Sequence, residues 1–131
     1  MIALDTNVVV RLLVRDDPQQ TERAAAMVRD NPLLITATVL LETEWVLRSR
    51  YRVPRPAIAQ ALRRLVDLEQ LTLDHPTVVA RTLTWFEAGL DFADALHLAA
   101  SHAARDFATF DQALAREAGA IGTAPTVRLC A

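Results

Sequence analysis

The sequence contains no lysine, because all 14 of its basic residues are arginine. This absence excludes a phosphate-loop lysine, a Schiff-base amine and a lysine general base. Glycine is also scarce: the chain has only Gly89, Gly119 and Gly122, and none of them forms a phosphate-cradling loop after a strand. Nucleotide- and dinucleotide-binding folds that depend on such loops are therefore excluded.

The chain has a single cysteine, Cys130, which rules out an internal disulfide and a zinc knuckle. It also lacks an apolar run long enough to span a bilayer, and its N-terminal apolar run reaches Asp5 too soon for a signal peptide. A net charge of −2 argues against coating of nucleic acid by charge alone, although a nuclease with local basic residues remains open. We expect a cytoplasmic protein.

With 131 residues, 52% of them hydrophobic, the chain suits a single domain over 1–131. Short apolar runs alternate with segments of helical periodicity, of which 58–66 is the clearest. We predict strands at 2–4, 33–36, 71–73, 106–110 and 126–129, and helices at 7–15, 19–30, 38–50, 55–68, 77–88, 92–104 and 112–118. This alternation predicts an α/β fold with a small, mostly parallel central sheet flanked by helices.

Four carboxylates lie where such a fold would gather them at one sheet edge: Asp5, Glu42, Asp94 and Asp111. Asp5 and Asp111 follow predicted strands, and open α/β sheets bind ligands at the carboxyl ends of their strands. Two unit charges about 4 Å apart repel by on the order of 4 kcal/mol at an effective dielectric of about 20. If these acids meet, a positive group must share the site.

Each acid also has a structural interpretation. Asp5, Asp91 and Asp111 precede predicted helices, where an aspartate commonly caps the first turn. We choose Asp94 over Asp91 because Asp91 is the better N-cap, which leaves Asp94 free. Glu42 is chosen over Glu44, which lies about 200° round the same apolar helix, because Thr38 and Trp45 line up beside Glu42.

Oxygen ligands without histidine or cysteine select Mg²⁺ or Mn²⁺ over zinc. Such ions polarise a phosphodiester and stabilise the leaving oxygen, so a converged set of these acids predicts phosphodiester hydrolysis. An Asp at a strand end with Mg²⁺ also occurs in phosphatases and phosphoacceptor proteins, but those need a lysine to neutralise the phosphoryl group. That alternative is poorly supported by this sequence.

Four motifs resemble those of the PIN-domain ribonucleases, and within them the VapC-type toxins of bacterial toxin–antitoxin pairs. They are Leu4-Asp5-Thr6-Asn7, Thr38-Val39-Leu40-Leu41-Glu42, Asp91-Phe92-Ala93-Asp94-Ala95-Leu96-His97 and Ala108-Thr109-Phe110-Asp111. Each motif is short, but they occur in the family's order over nearly the whole chain.

The resemblance implies a three-layer PIN-like fold and a Mg²⁺- or Mn²⁺-dependent endoribonuclease in which Asp5, Glu42, Asp94 and Asp111 bind the metal. Thr6, Asn7 and Thr109 match the polar residues that support those acids in the family, and Asp91 is a further supporting acid. It also implies an RNA substrate, a homodimer, and a small antitoxin that holds the toxin inactive. A catalytically inactive PIN-like binding module is the non-enzymatic alternative, and it predicts a missing acid where none is missing.

Other residues have competing interpretations. Candidates for gripping RNA phosphates are Arg11, Arg15, Arg48, Arg50 and Arg52. Basic residues at a helix end also simply favour the helix dipole. We expect the aromatic residues Trp45, Tyr51, Trp85 and Phe86 to serve packing, and we expect the hairpin of helices 38–50 and 55–68 to supply a dimer contact or an antitoxin groove.

Overall fold

Seven helices and five short strands alternate along residues 1–130, the part of the chain that this computed structural model describes. In chain order they are β1 (Ile2–Ala3), α1 (Thr6–Val14), α2 (Pro18–Arg29), β2 (Leu33–Ile35), α3 (Ala37–Ser49), α4 (Arg55–Val66), β3 (Leu71–Leu73), α5 (Pro76–Glu87), α6 (Phe92–Ala100), β4 (Asp106–Thr109), α7 (Gln112–Ile121) and β5 (Thr126–Leu129). Every strand pairing is parallel, which confirms the predicted α/β class.

The chain divides into two compact units, Met1–Pro76 and the described residues from Thr77 onward. We call them the N-terminal and C-terminal units. The prediction of a single domain over 1–131 stays a prediction. None of the helices within residues 1–130 has the length and apolar character needed to cross a membrane.

The N-terminal unit contains a three-stranded sheet in the order β1-β2-β3 together with helices α1 to α4. The middle strand β2 buries Leu33 and Ile35 on one face of the sheet, while Leu34 on the other face is half-buried. Helix α1 packs against α2 and α3. Helix α2 begins at Pro18, one residue before the predicted start, with the Asp17 side chain accepting a hydrogen bond from the Gln20 N–H at 3.1 Å and Pro18 in the first helical position.

The C-terminal unit contains the parallel pair β4-β5 with helices α5 to α7. One core cluster of this unit consists of Leu90, Ala95, Leu98, Leu114 and Ala118. Four partly buried side chains pack against this core: Trp85, Phe107, Ile121 and Val127. Helices α6 and α7 both contribute residues to this cluster, so packing fixes their positions. Asp91 and Asp111 immediately precede these two helices.

Two helix ends differ from the sequence prediction by three residues or more, while the other helix bounds agree with it within two residues. Helix α6 ends at Ala100 rather than 104, because the Ser101 N–H turns back to the Leu98 carbonyl and the chain continues as turns towards β4. Helix α7 runs on to Ile121 instead of ending at 118, and Gly122 ends it in the left-handed conformation at φ 82°. Glycine adopts this conformation without the steric cost of a Cβ atom, so it defines the end of α7.

Candidate active site

Asp5 lies between β1 and α1 and caps the helix. Its Oδ1 accepts a hydrogen bond from the Thr6 N–H at 2.8 Å, while the residue as a whole is exposed. The neighbouring Thr6 is buried, and its Oγ1 has no hydrogen-bond partner among residues 1–130. A buried hydroxyl of this kind is usually satisfied by water or by an ion-bound group. The capping interpretation of Asp5 is thus confirmed, and it occupies only one of the two carboxylate oxygens.

Glu42 lies in α3, on a face that it shares with Thr38 and Trp45, and all three are exposed. This confirms that the three residues line up. It also corrects the expectation that Trp45 serves packing, because that side chain is 49% exposed. The inward stripe of α3 is formed by its neighbours in sequence, which turns Trp45 outward.

Glu44 is the buried acid of α3, with only 2% of its surface exposed. Its Oε2 accepts a hydrogen bond from Arg48 Nε at 2.9 Å, one helical turn further on. A buried carboxylate needs such a partner. The sequence could have revealed this pair, because Glu44 and Arg48 have the i, i+4 spacing of a helical ion pair.

Asp91 and Asp94 divide two roles at the start of α6. The Asp91 side chain accepts a hydrogen bond from the Asp94 N–H at 3.0 Å and so forms the N-cap. Asp94 lies in the first turn and is half-buried. The predicted division between the capping and the free acid is confirmed.

Burial raises the pKa of the Asp94 carboxyl, and the negative charges of Asp91 and Asp111 raise it further. Glu117 adds a smaller push in the same direction, whereas His97 acts against it. The three aspartates therefore interact electrostatically within the C-terminal unit. Bringing a cation to this cluster would relieve the repulsion and favour the ionised form of Asp94.

Asp111 follows β4 and caps α7. Its Oδ1 accepts from the Leu114 N–H at 3.0 Å, and its own N–H donates to Thr109 Oγ1 at 3.0 Å. The Thr109 carbonyl in turn accepts from the Cys130 N–H at 2.7 Å, beyond the end of β5. Thr109 thus holds the segment that carries Asp111, and its role in supporting a metal-binding acid stays a prediction.

The candidate RNA-binding arginines have different surroundings. Arg11 donates to Asp16 Oδ1 at 2.7 Å and to the Tyr51 hydroxyl at 3.1 Å. Arg15 ends α1 in the left-handed conformation and is exposed. Arg48 is the partner of Glu44, which gives it a structural role.

The remaining two candidates, Arg50 and Arg52, are both exposed near the end of α3. The Arg50 N–H donates to the Val46 carbonyl, and Arg52 has φ 52°. Contact of any of these arginines with RNA stays a prediction.

A divalent cation matches the donor set, since the candidate ligands are all carboxylates. Within residues 1–130, no three His, Cys, Asp or Glu side chains form a group close enough to hold a metal ion. Mg²⁺ keeps several waters and commonly takes one or two carboxylates together with substrate phosphate, so a Mg²⁺ site does not require a group of three protein ligands. Asp5 and Glu42 belong to the N-terminal unit and Asp94 and Asp111 to the C-terminal unit. The convergence of all four stays a prediction.

The N-terminal unit also contains an apolar groove of about 650 Å³. Its apolar lining includes Leu12 and Leu13 of α1, Ala25 and Val28 of α2, and Ala61 and Leu65 of α4. Three exposed arginines also line it: Arg15, Arg29 and Arg64. We call it the arginine-lined groove. Of the predicted α3–α4 hairpin, α4 lines this groove, and α3 contributes no lining residue among those described.

Comparison with known proteins identifies the family. The model of the PIN domain matches residues 2–120, a span that includes all four candidate acids, and the chain therefore belongs to the PIN domain family. Among solved structures, the chain is similar to Mycobacterium tuberculosis VapC20, a toxin that cleaves the sarcin-ricin loop. That similarity has 20% sequence identity and a TM-score of 0.42, over 95% of this chain and 98% of that chain. No curated protein matches the chain significantly.

Proposed function

We propose that this PIN-domain protein is a Mg²⁺- or Mn²⁺-dependent endoribonuclease and the toxin of a toxin–antitoxin pair that acts in the cytoplasm. The observation that carries the proposal is the match of the PIN domain model to residues 2–120, a span in which all four candidate acids are present. The surroundings of Asp94 are in keeping with it, because burial and the charges of Asp91 and Asp111 raise the pKa of its carboxyl. Carboxylates that repel one another in a PIN domain fit a site that binds a cation.

In this proposal Asp5, Glu42, Asp94 and Asp111 hold the metal. A divalent cation held by these acids would supply Lewis-acid chemistry for phosphodiester hydrolysis. The chain's own contribution is positioning. Asp91 and Thr109 fix the backbone at Asp94 and Asp111 through the hydrogen bonds described above, so the acids are ordered before RNA arrives.

Two features support catalysis over the alternatives. A degenerate binding module predicts the loss of at least one acid, and all four are present. A phosphatase or phosphoacceptor needs a lysine beside its aspartate, and the chain has none. The nuclease interpretation requires the four acids, which are present, and does not require a lysine.

Cleavage of a fluorogenic RNA with and without EDTA tests the activity. We expect cleavage with Mg²⁺ or Mn²⁺, its loss in EDTA, and a loss of at least about 100-fold in Asp5→Asn and Asp94→Asn, as is typical for removing a group that stabilises charge in the transition state. Asp30→Asn is the matched control, since Asp30 is exposed at the end of α2. Cleavage that survives EDTA, or Asp94→Asn with full activity, would contradict the proposal.

The partner in this proposal is a small antitoxin, and the arginine-lined groove supports it. The groove presents an apolar floor with three exposed arginines, which is complementary to an amphipathic helix with one apolar and one acidic face. A homodimer remains part of the proposal. Size-exclusion chromatography with light scattering tests it, and a strictly monomeric protein would count against it.

A further inference from the structure

Phe110 differs from the other phenylalanines of the chain. Phe86 and Phe92 are buried at 1% and 2% exposure, and Phe107 packs against the core of the C-terminal unit. Phe110 is 82% exposed, more than any other large apolar side chain among residues 1–130. Single exposed apolar residues are common on proteins, so exposure alone assigns no role. The position of Phe110, directly before Asp111, is what makes it informative.

The backbone on both sides of Phe110 is fixed. Before it, the Thr109 carbonyl accepts from the Cys130 N–H at 2.7 Å. After it, the Asp111 N–H donates to Thr109 Oγ1 at 3.0 Å, and the Asp111 side chain caps α7. An exposed ring on so constrained a segment loses little conformational freedom when a flat ligand stacks on it.

The charges around Phe110 favour an uncharged ligand. The neighbouring charges are acidic, since Asp111 follows directly and Asp111 in turn interacts with Asp94. A phosphate would be repelled there without a cation, whereas a nucleobase carries no charge. The Cα atoms of Phe110 and Asp111 are about 3.8 Å apart, so a base adjacent to a phosphate held near Asp111 is within reach of the ring.

We propose that Phe110 stacks on an unpaired base of single-stranded RNA, next to the phosphate that is cleaved. Aromatic stacking is the usual way in which proteins hold splayed RNA bases, and it tolerates different sequences because every base has a π-face. The proposal rests on the proposed nuclease function. It adds a positioning residue for the RNA substrate.

The test uses the full chain carrying Asp94→Asn, which prevents cleavage, in the presence of Mg²⁺, with short single-stranded RNAs that each contain one 2-aminopurine. Stacking on Phe110 quenches the fluorescence at one position of the RNA. We expect Phe110→Leu to abolish this quenching and to weaken RNA binding about tenfold, while Phe110→Tyr retains both. Met27→Ala, which alters another exposed apolar side chain, is expected to leave both unchanged.

In the otherwise unchanged protein, Phe110→Leu should raise KM for RNA cleavage with kcat largely retained. RNA binding and quenching equal to those of the parent in Phe110→Leu would overturn the stacking proposal. So would a change of oligomeric state in Phe110→Leu by light scattering, because Phe110 would then contact protein. A parent protein that binds and quenches RNA through Phe110 but never cleaves it would instead refute the nuclease function alone.

Discussion

Asp91 stabilises the backbone of Asp94 and at the same time destabilises its negative charge. The Asp91 carboxylate accepts a hydrogen bond from the Asp94 N–H at 3.0 Å, and its charge, after burial, is the strongest influence that raises the pKa of the Asp94 side chain. A helix cap has thus been placed where it repels the next acid along the helix. Such an arrangement costs stability unless a cation shares the site.

Asp94→Asn should therefore stabilise the protein when no metal is present. Removing the charge relieves the repulsion from Asp91 and Asp111, and we expect a gain of about 0.5 kcal/mol in the free energy of unfolding at neutral pH. Urea denaturation in EDTA measures it. Asp91→Ala is the matched comparison, and it should lose about 1 kcal/mol because the cap is lost. Equal or lower stability of Asp94→Asn would contradict the interpretation.

The stability advantage of Asp94→Asn should depend on pH. Because the pKa of Asp94 is raised in the folded state, the folded protein binds this proton more tightly than the unfolded chain does. The contribution of Asp94 to stability therefore falls as pH rises from the usual aspartate range through the raised pKa, and it is constant above it. Denaturation at a series of pH values should show the difference between Asp94→Asn and the parent growing over that window. A difference independent of pH would exclude the raised pKa.

Arg48→Ala should destabilise the fold, because the carboxylate of Glu44 is buried and its Oε2 accepts from Arg48. We expect a loss of about 2 kcal/mol, less than for a fully buried pair since Arg48 itself is half exposed. Arg50→Ala, two residues further on and exposed, should change stability by less than about 0.5 kcal/mol. Thermal or urea unfolding of the two variants measures the difference in stability. Similar effects of both substitutions would show that the buried pair contributes little.

Filling the arginine-lined groove should block the antitoxin while leaving RNA cleavage intact. Ala61 lines the groove from α4 and is half-buried, so Ala61→Arg adds both bulk and charge on its apolar floor. We expect binding of the proposed antitoxin to weaken by at least about 100-fold in calorimetry. Ala57→Arg, on an exposed position of the same helix, serves as the control. Undiminished binding to Ala61→Arg would place the partner elsewhere.

Much of the fold follows from local signals in the sequence. The Asp17-Pro18 pair fixes the start of α2, and the apolar spacing of 58–65 predicts the buried face of α4. Helix α6 ends early because a turn forms at Ser101, which the continued run of alanines conceals. Helix α7 extends to Ile121 and is ended by Gly122 in the left-handed conformation. A glycine at this position is a helix-end signal that the sequence did contain.

Less of the candidate site than of the fold was predictable from the sequence. The division between Asp91 and Asp94 follows from capping chemistry. The burial of Glu44 and the outward position of Trp45 depend on which side of α3 the rest of the fold covers. Apolar residues surround both faces of that helix in sequence, so periodicity alone does not select the buried one. The exposure of Phe110 could likewise not be predicted from the sequence, because residues 106–110 have the apolar pattern of a buried strand.

The central claim is that the acids around Asp94 bind a divalent cation, and a Mn²⁺ titration tests it most directly. Free Mn²⁺ is followed by electron paramagnetic resonance as it is added to the parent protein, to Asp94→Asn and to the Asp30→Asn control. We predict saturable binding to the parent and the control, with affinity reduced at least about tenfold in Asp94→Asn. No saturable binding to the parent, or equal binding to Asp94→Asn, would contradict the account.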